Sequence, residues 1–481
     1  MCVLALAAVA GCASRRPVTA VAPAAPPLTR DIETLIEQGC FRCLEQALAL
    51  ADERKQPQLA FEASALLVLR ATELGMPADP WMDRVRALVT GNPMWTPHLE
   101  MVAAIPPDAL RGLRDDLLVQ TQGRSRARSQ LPAWYELLKT GSLSTVFRRY
   151  LEIALRCGVE LPPQRERLSA LVPELPDVPL IKYRVGICDR DFKTELTAAQ
   201  RDVPAFVDAD YALGRYALQD SEAPDPDEAM RRFRSAAAAF PSSTSIPTAI
   251  GNLYQTWEEW ASALAAYDTA LALLPSHPDA LIGRVISLSH LERHEDAITG
   301  ATRLIEGGQW HLGQAFYWRA WNYFNLGNNA NARADADRTR TLMVNAPVFV
   351  LSGMIEWRFR HLEPAETEFQ EALKMDFGQC EAAFYLGGVR SEQRRLPEAI
   401  AAMNQARQCY DLALAVRRKA FDAMLAGPGT PESKSRESAR HERAIAIVQK
   451  RRGEALEALE RLQKAQSAAE GPISRQTPQG R

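Results

Sequence analysis

The sequence predicts an all-α fold: an α-solenoid of stacked helix–turn–helix units, with extra helices at its N- and C-terminal ends. Three observations predict it. Ala229, Ala263, Ala297, Ala332, Ala365 and Ala399 return at steps of 34, 34, 35, 33 and 34 residues, the period of a two-helix repeat that buries its apolar face only by stacking. Apolar residues elsewhere recur at helical spacing, as in the stripe Leu44, Ala47, Leu48 and Ala51. Alternating strand patterns are scarce. Pro179 to Cys188 has the composition of a strand, but its surroundings favour a helix.

Taken in order, residues 1–11 read as an export signal. Cys2 to Ala10 is an apolar run too short to span a bilayer, and it ends at Gly11-Cys12. Val9-Ala10-Gly11-Cys12 resembles the lipobox of bacterial lipoproteins. That resemblance implies cleavage before Cys12, lipidation of its thiol, and anchoring by several acyl chains at the membrane, with the periplasmic face of a bacterial envelope as the location. Residues 12–30 are rich in Pro and Ala and read as a semi-extended tether. No later stretch is apolar for long enough to form a transmembrane helix.

Residues 31–206 read as an N-terminal helical region. The stripe from Leu44 to Ala51 is followed by a second from Leu59 to Leu74, which Gly75-Met76-Pro77 ends. The polar, basic run Thr121 to Ser129 is expected to be an exposed loop, with helices resuming at Pro132. Degenerate repeats are one reading of this region, but no phase can be assigned to them.

Residues 207–410 hold about six units. Ahead of Ala263 stand Ile250, Gly251 and Tyr254, and behind it Tyr267, Ala270 and Pro275. Phe233, Ala236 and Pro241 follow Ala229. Gly353, Phe369 and Ala372 surround Ala365, and Leu386, Gly387 and Ala406 surround Ala399. Two antiparallel helices approach closely only where side chains are small, so Gly and Ala mark the crossing. Ala263, Tyr267 and Ala270 share one helical face. The units at Ala297 and Ala332 keep the phase with Val285 and Ala320 in place of glycine. In the unit at Ala229, Leu213-Gly214 lies three residues early and Ala223-Pro224-Asp225-Pro226 is inserted at the turn. The pattern from about Asp208 to Gln408 resembles the tetratricopeptide repeat (TPR) family. The resemblance implies a right-handed superhelix and binding of a protein or peptide partner.

In that family the first helix of each unit lines the groove. Counting back from the phased alanines gives Tyr317, Trp321 and Phe324, then Val350, Met354, Trp357 and Arg358, then Phe384, as the expected partner-binding residues. Trp, Tyr, Met and Arg carry much interface energy. Members that bind chaperone tails clamp a carboxylate with Lys and Asn. Asn252 matches one such position, but Thr248 and Asp279 stand where Lys would be needed.

Residues 411–468 read as C-terminal helices broken at Gly427-Pro428-Gly429. A charged helix around Ala439 to Lys464 would cap the last unit. Residues 469–481 are expected to be disordered.

Little points to chemistry. Lys plus Arg number 57 and Asp plus Glu 59, so no basic field favours nucleic acid. Cys40-Phe41-Arg42-Cys43 is the one redox-like motif, but no strand leads into it and no second CxxC supplies a zinc set. A local disulfide or two packed thiols is the expected state. Cys157, Cys188, Cys380 and Cys409 cannot be paired from the sequence. His290 and His294 could share a face, yet two imidazoles do not fix a metal. No cofactor, metal or small-molecule substrate is expected. The function expected is a non-enzymatic, lipid-anchored scaffold. The alternatives are an unlipidated adaptor, cytoplasmic or periplasmic, and a thiol–disulfide protein using Cys40 and Cys43.

Overall fold

A computed structural model describes residues 30–105, 122–159, 168, 170–188, 193–219, 224–308, 310–427 and 430–470. The signal, Cys12 and all but the end of the tether lie outside these residues, as does the tail from 471. The described residues form 22 helices and no strand.

The N-terminal region begins with α1 (Ile32–Gln38), α2 (Phe41–Glu53), α3 (Pro57–Leu74), α4 (Asp79–Gly91) and α5 (Thr96–Ala104). It continues through α6 (Gln122–Thr140), α7 (Thr145–Gly158), α8 (Pro179–Cys188) and α9 (Lys193–Asp202). Asp31 caps α1 by accepting from Thr34 N, and Gly75 ends α3 in the left-handed region at φ 66°. The run Thr121 to Ser129, expected as a loop, is instead helical from Gln122, and α6 continues through Pro132. Ala127 is buried, and Arg128 Nε donates to Val159 O at 3.2 Å. Tertiary contacts therefore hold as helix a segment whose composition signalled a loop.

The core of this region contains charges. Arg70, Glu73, Arg184 and Asp208 are all buried. The Arg70 guanidinium pairs with Asp208, lies 3.5 Å from the centroid of the Tyr183 ring, and donates to Gly39 O at 3.3 Å. Asp208 also accepts from Phe41 N at 3.2 Å, and the Tyr183 hydroxyl donates to Glu73. Burial pushes the carboxyls of Glu73 and Asp208 up, against the pull of Arg70. Such a network is costly to break, because a lost partner leaves a buried charge uncompensated. It fixes the α1–α2 turn on α3 and on the residues just before the repeats.

Six units follow. They are α10 (Ala209–Gln219) with α11 (Pro226–Ala239), α12 (Ser245–Thr256) with α13 (Trp260–Leu273), and α14 (Pro278–His290) with α15 (His294–Gly307). Next come α16 (Leu312–Asn325) with α17 (Asn329–Leu342), α18 (Ala346–Arg358) with α19 (Leu362–Met375), and α20 (Cys380–Glu392) with α21 (Leu396–Ala426). The turn inside five of them is one device. Glu258, Glu292, Gly327, Arg360 and Arg394 all adopt positive φ, and the next residue's N–H bonds back across the turn, as Glu259 N does to Tyr254 O at 2.9 Å. The α2–α3 turn repeats it at Lys55, with Gln56 N donating to Ala51 O at 2.8 Å. Ala60 there stands five residues after the left-handed residue, as Ala263 does after Glu258, and is buried. The α2–α3 pair thus shares the turn and the buried alanine of the units that follow.

The last unit does not stop at Tyr410. α21 runs unbroken for 31 residues, and α22 (Pro431–Glu470) returns beside it for 40. Ala455, Ala458, Leu459 and Leu462 of α22 are buried against Phe384, Ala399, Met403 and Tyr410, so the expected cap is present and longer than the sequence indicated. Disulfides join Cys40 to Cys43, Cys157 to Cys188, and Cys380 to Cys409. The last pins α20 to α21 where the helix leaves the unit.

Candidate functional site

The six phased alanines are all fully buried at the crossing of their two helices. Four residues on, Phe233, Tyr267 and Phe369 are buried too, each with its ring against a glycine of the preceding helix. A Cβ on Gly214 would meet Phe233, one on Gly251 would meet Tyr267, and one on Gly353 would meet Phe369. Gly214 makes this contact despite its early position. Gly283 of the next unit meets the same Tyr267 ring from the other side, so the ring also spaces successive units.

The units have the tetratricopeptide repeat fold. No family model and no curated protein sequence matches the chain. Among solved structures, a TPR protein from Parabacteroides merdae is 16% identical over 55% of this chain and 93% of its own, with a TM-score of 0.38. The Pseudomonas aeruginosa pilF protein is 18% identical over 43% of this chain and 92% of its own, also at 0.38. YrrB, described as a TPR protein with an unusual peptide-binding site, is 21% identical over 37% of this chain and 91% of its own, at 0.31.

The first helices of TPR units 1 to 3 enclose an open cavity of about 380 Å³, within the range of ligand clefts. Tyr211, Arg215 and Gln219 of α10, Thr248, Asn252 and Gln255 of α12, and Asp279, Ile282 and Ile286 of α14 line it. His311, at the start of unit 4, closes one end. Its walls are braced. The Tyr267 hydroxyl donates to Asn252 Oδ1 at 2.7 Å, Gln255 Nε2 donates to Gly283 O at 2.9 Å, and His311 Nε2 lies 2.7 Å from Asp279 Oδ1. Thr248, Asn252 and Asp279, which the family count brought forward, do converge here. No lysine joins them, Asp279 is held by His311, and Ile282 and Ile286 give the slot an apolar floor beside amides, one arginine and one acid. Tyr211, Arg215, Gln219, Gln255 and His311 went unnoticed in the sequence. The inward positions of the first helices of units 1 and 2 were the available signal.

The residues expected to bind partners lie in units 4 to 6, and the structure places them between units. Phe324 is buried at 7% exposure. Tyr317 and Trp321 are half-buried and pack against the cluster of Ala320, Phe324, Leu351 and Ile355, which Met354 also touches. Trp357 covers Gly388 and meets Tyr385 edge to face, with centroids 6.0 Å apart. Val350 packs beside it. Phe384 lies under α22. Arg358 is exposed, with its guanidinium 4.6 Å from the centroid of the Phe324 ring. These side chains join successive units, and of the eight only Arg358 is exposed.

Cys40 and Cys43 are disulfide-bonded and fully buried, and Cys40 also N-caps α2 through its sulfur. An attacking thiolate does not reach a buried sulfur in this conformation. His290 stacks on Trp260 with centroids 3.8 Å apart, while His294 Nδ1 lies 2.8 Å from Asn322 Oδ1. The two histidines thus have separate partners. Among the described residues, no three His, Cys, Asp or Glu side chains gather as a metal site requires, and no helix is long and apolar enough to cross a membrane.

Proposed function

We propose that the chain is a non-enzymatic TPR scaffold that binds an extended protein segment against the first helices of units 1 to 3. The cavity between α10, α12 and α14 carries this reading. Three successive first helices line one slot, so an extended peptide laid across them meets the apolar Ile282 and Ile286 and the amides of Gln219, Asn252 and Gln255. Braced walls lower the ordering cost of binding. The test is a photo-cross-linker at Asn252, compared with one at Thr269, which is exposed on α13. A partner captured from Asn252 alone, and lost when Ile282→Arg fills the floor, supports the site. Equal capture from both positions removes it.

We also propose export and lipid anchoring at Cys12. Six of the eight cysteines are paired in disulfides, a state that persists in oxidising compartments such as the bacterial periplasm. This supports export. The lipid rests on the apolar run and Val9-Ala10-Gly11-Cys12. Fatty-acid labelling that disappears in Cys12→Ser supports it. Labelling that persists in Cys12→Ser would remove Cys12 as the lipid site, and no labelling of the native chain would leave the unlipidated adaptor.

A further inference from the structure

The arm formed by α21 and α22 touches both ends of the repeat array. Near its base it is fixed. The Cys380–Cys409 disulfide and the buried residues Ala455, Ala458, Leu459 and Leu462 hold it to unit 6, and Asp411 pairs with Arg407 and Arg452. Near its tip the contacts differ in kind. The Arg436 guanidinium lies 4.1 Å from the centroid of the Trp257 ring and pairs with Asp227 at 3.0 Å and Glu259 at 3.4 Å. Arg443 lies 3.9 Å from Glu258 and donates to Trp257 O at 3.4 Å. Trp257 is 2% exposed.

Arg443 and Ala455 are twelve residues apart on one helix, about 18 Å at 1.5 Å per residue. That short length joins unit 2 to unit 6, so the array curls until its ends nearly meet, and the arm bridges the gap. The two ends of the bridge differ in strength. The base is apolar and covalently pinned. The tip is a few part-exposed ion pairs and one cation–π contact, which salt screens and water competes for.

We propose that the α21–α22 arm is a releasable clasp, whose tip arginines hold the Trp257 turn and so fix the curvature of the repeat array. The grip falls on the cavity's own helices. Trp257 ends α12, which carries Thr248, Asn252 and Gln255, and Asp227 begins α11, which carries the lining residue Phe233. Release frees both helix ends and lets the slot between α10, α12 and α14 widen. That regulatory consequence rests on the groove reading above, whereas the clasp itself does not.

The experiment places a photo-cross-linking residue at Ala439, which is exposed beside Glu259, in the full chain. Isotope-light and isotope-heavy chains are mixed before illumination. Cross-links to the Trp257–Trp260 turn within one chain are expected, and most of them should be lost in molar salt. Arg436→Glu with Arg443→Glu should lose them in low salt, with the helical circular-dichroism signal unchanged. Arg436→Glu with Asp227→Arg should recover part of the yield. If the double reversal does not fold, the salt titration of the native chain decides. No cross-link to this turn, a yield indifferent to salt and to charge reversal, or cross-links only between light and heavy chains would overturn the clasp. Failure of the Asn252 capture with this cross-link intact would remove the groove reading and leave the clasp standing.

Discussion

The ring of Tyr267 lies against Gly251 so closely that a Cβ on the glycine would stand 2.6 Å from ring carbon Cε1. The tyrosine has nowhere to go, because Gly283 closes its other face and the ring is fully buried. Gly251→Ala should therefore destabilise the repeats by about 1–3 kcal/mol, although alanine is the better helix former by about 1 kcal/mol. Gly453→Ala, in α22 with nothing near its Cβ position, should stabilise by up to about 1 kcal/mol. Thermal melts of the two variants check the pair, and equal shifts would contradict the packing account.

Phe324 and Arg358 were both expected at a binding surface, and the structure buries the first and leaves the second exposed above its ring. Phe324→Ala empties a buried site and should cost about 3–5 kcal/mol. Arg358→Ala removes an exposed cation and should stay within about 0.5 kcal/mol of the native chain. Denaturant midpoints measure both. Stability unchanged in Phe324→Ala would return that residue to the groove.

His98 is buried on α5 at 3% exposure, and burial together with the nearby Arg148 lowers its imidazole to about 4. The unfolded chain titrates near 6.5, so the folded state resists a proton that the unfolded state accepts. The stability this group supplies is full above pH 6.5 and is lost as pH falls from 6.5 towards 4, by about 3 kcal/mol in all. His98→Leu should flatten the fall in stability between pH 7 and pH 4. An undiminished slope would assign the acid sensitivity to other groups.

Reduction should act through chain entropy. The Cys380–Cys409 bridge spans 29 residues, for which loop closure in the unfolded chain is worth about 3–4 kcal/mol. Cys380→Ala with Cys409→Ala should lower the melting temperature of the last unit and loosen the base of the arm. Hydrogen exchange in α20 and α21 reads this directly, and protection equal to that of the native chain would show the bridge to be dispensable.

The sequence by itself determined the repeat. Its phase depends on the helical period and on the need for small residues where two neighbouring helices cross, and both act over a few tens of residues. Ala263, Tyr267 and Gly251 therefore announce their contact through spacing alone. The same logic located Thr248, Asn252 and Asp279 on inward positions. It also misjudged Thr121 to Ser129, because a loop-like composition carries no record of the helix packed against it. Tertiary structure decided the rest. Arg70 meets Asp208 across 138 residues, Cys157 finds Cys188, and Arg436 reaches Trp257 only because each unit adds a small rotation and the rotations sum to a curl. No local pattern encodes that sum. Which half-buried aromatics face a partner, and which join one unit to the next, follows from the curl as well.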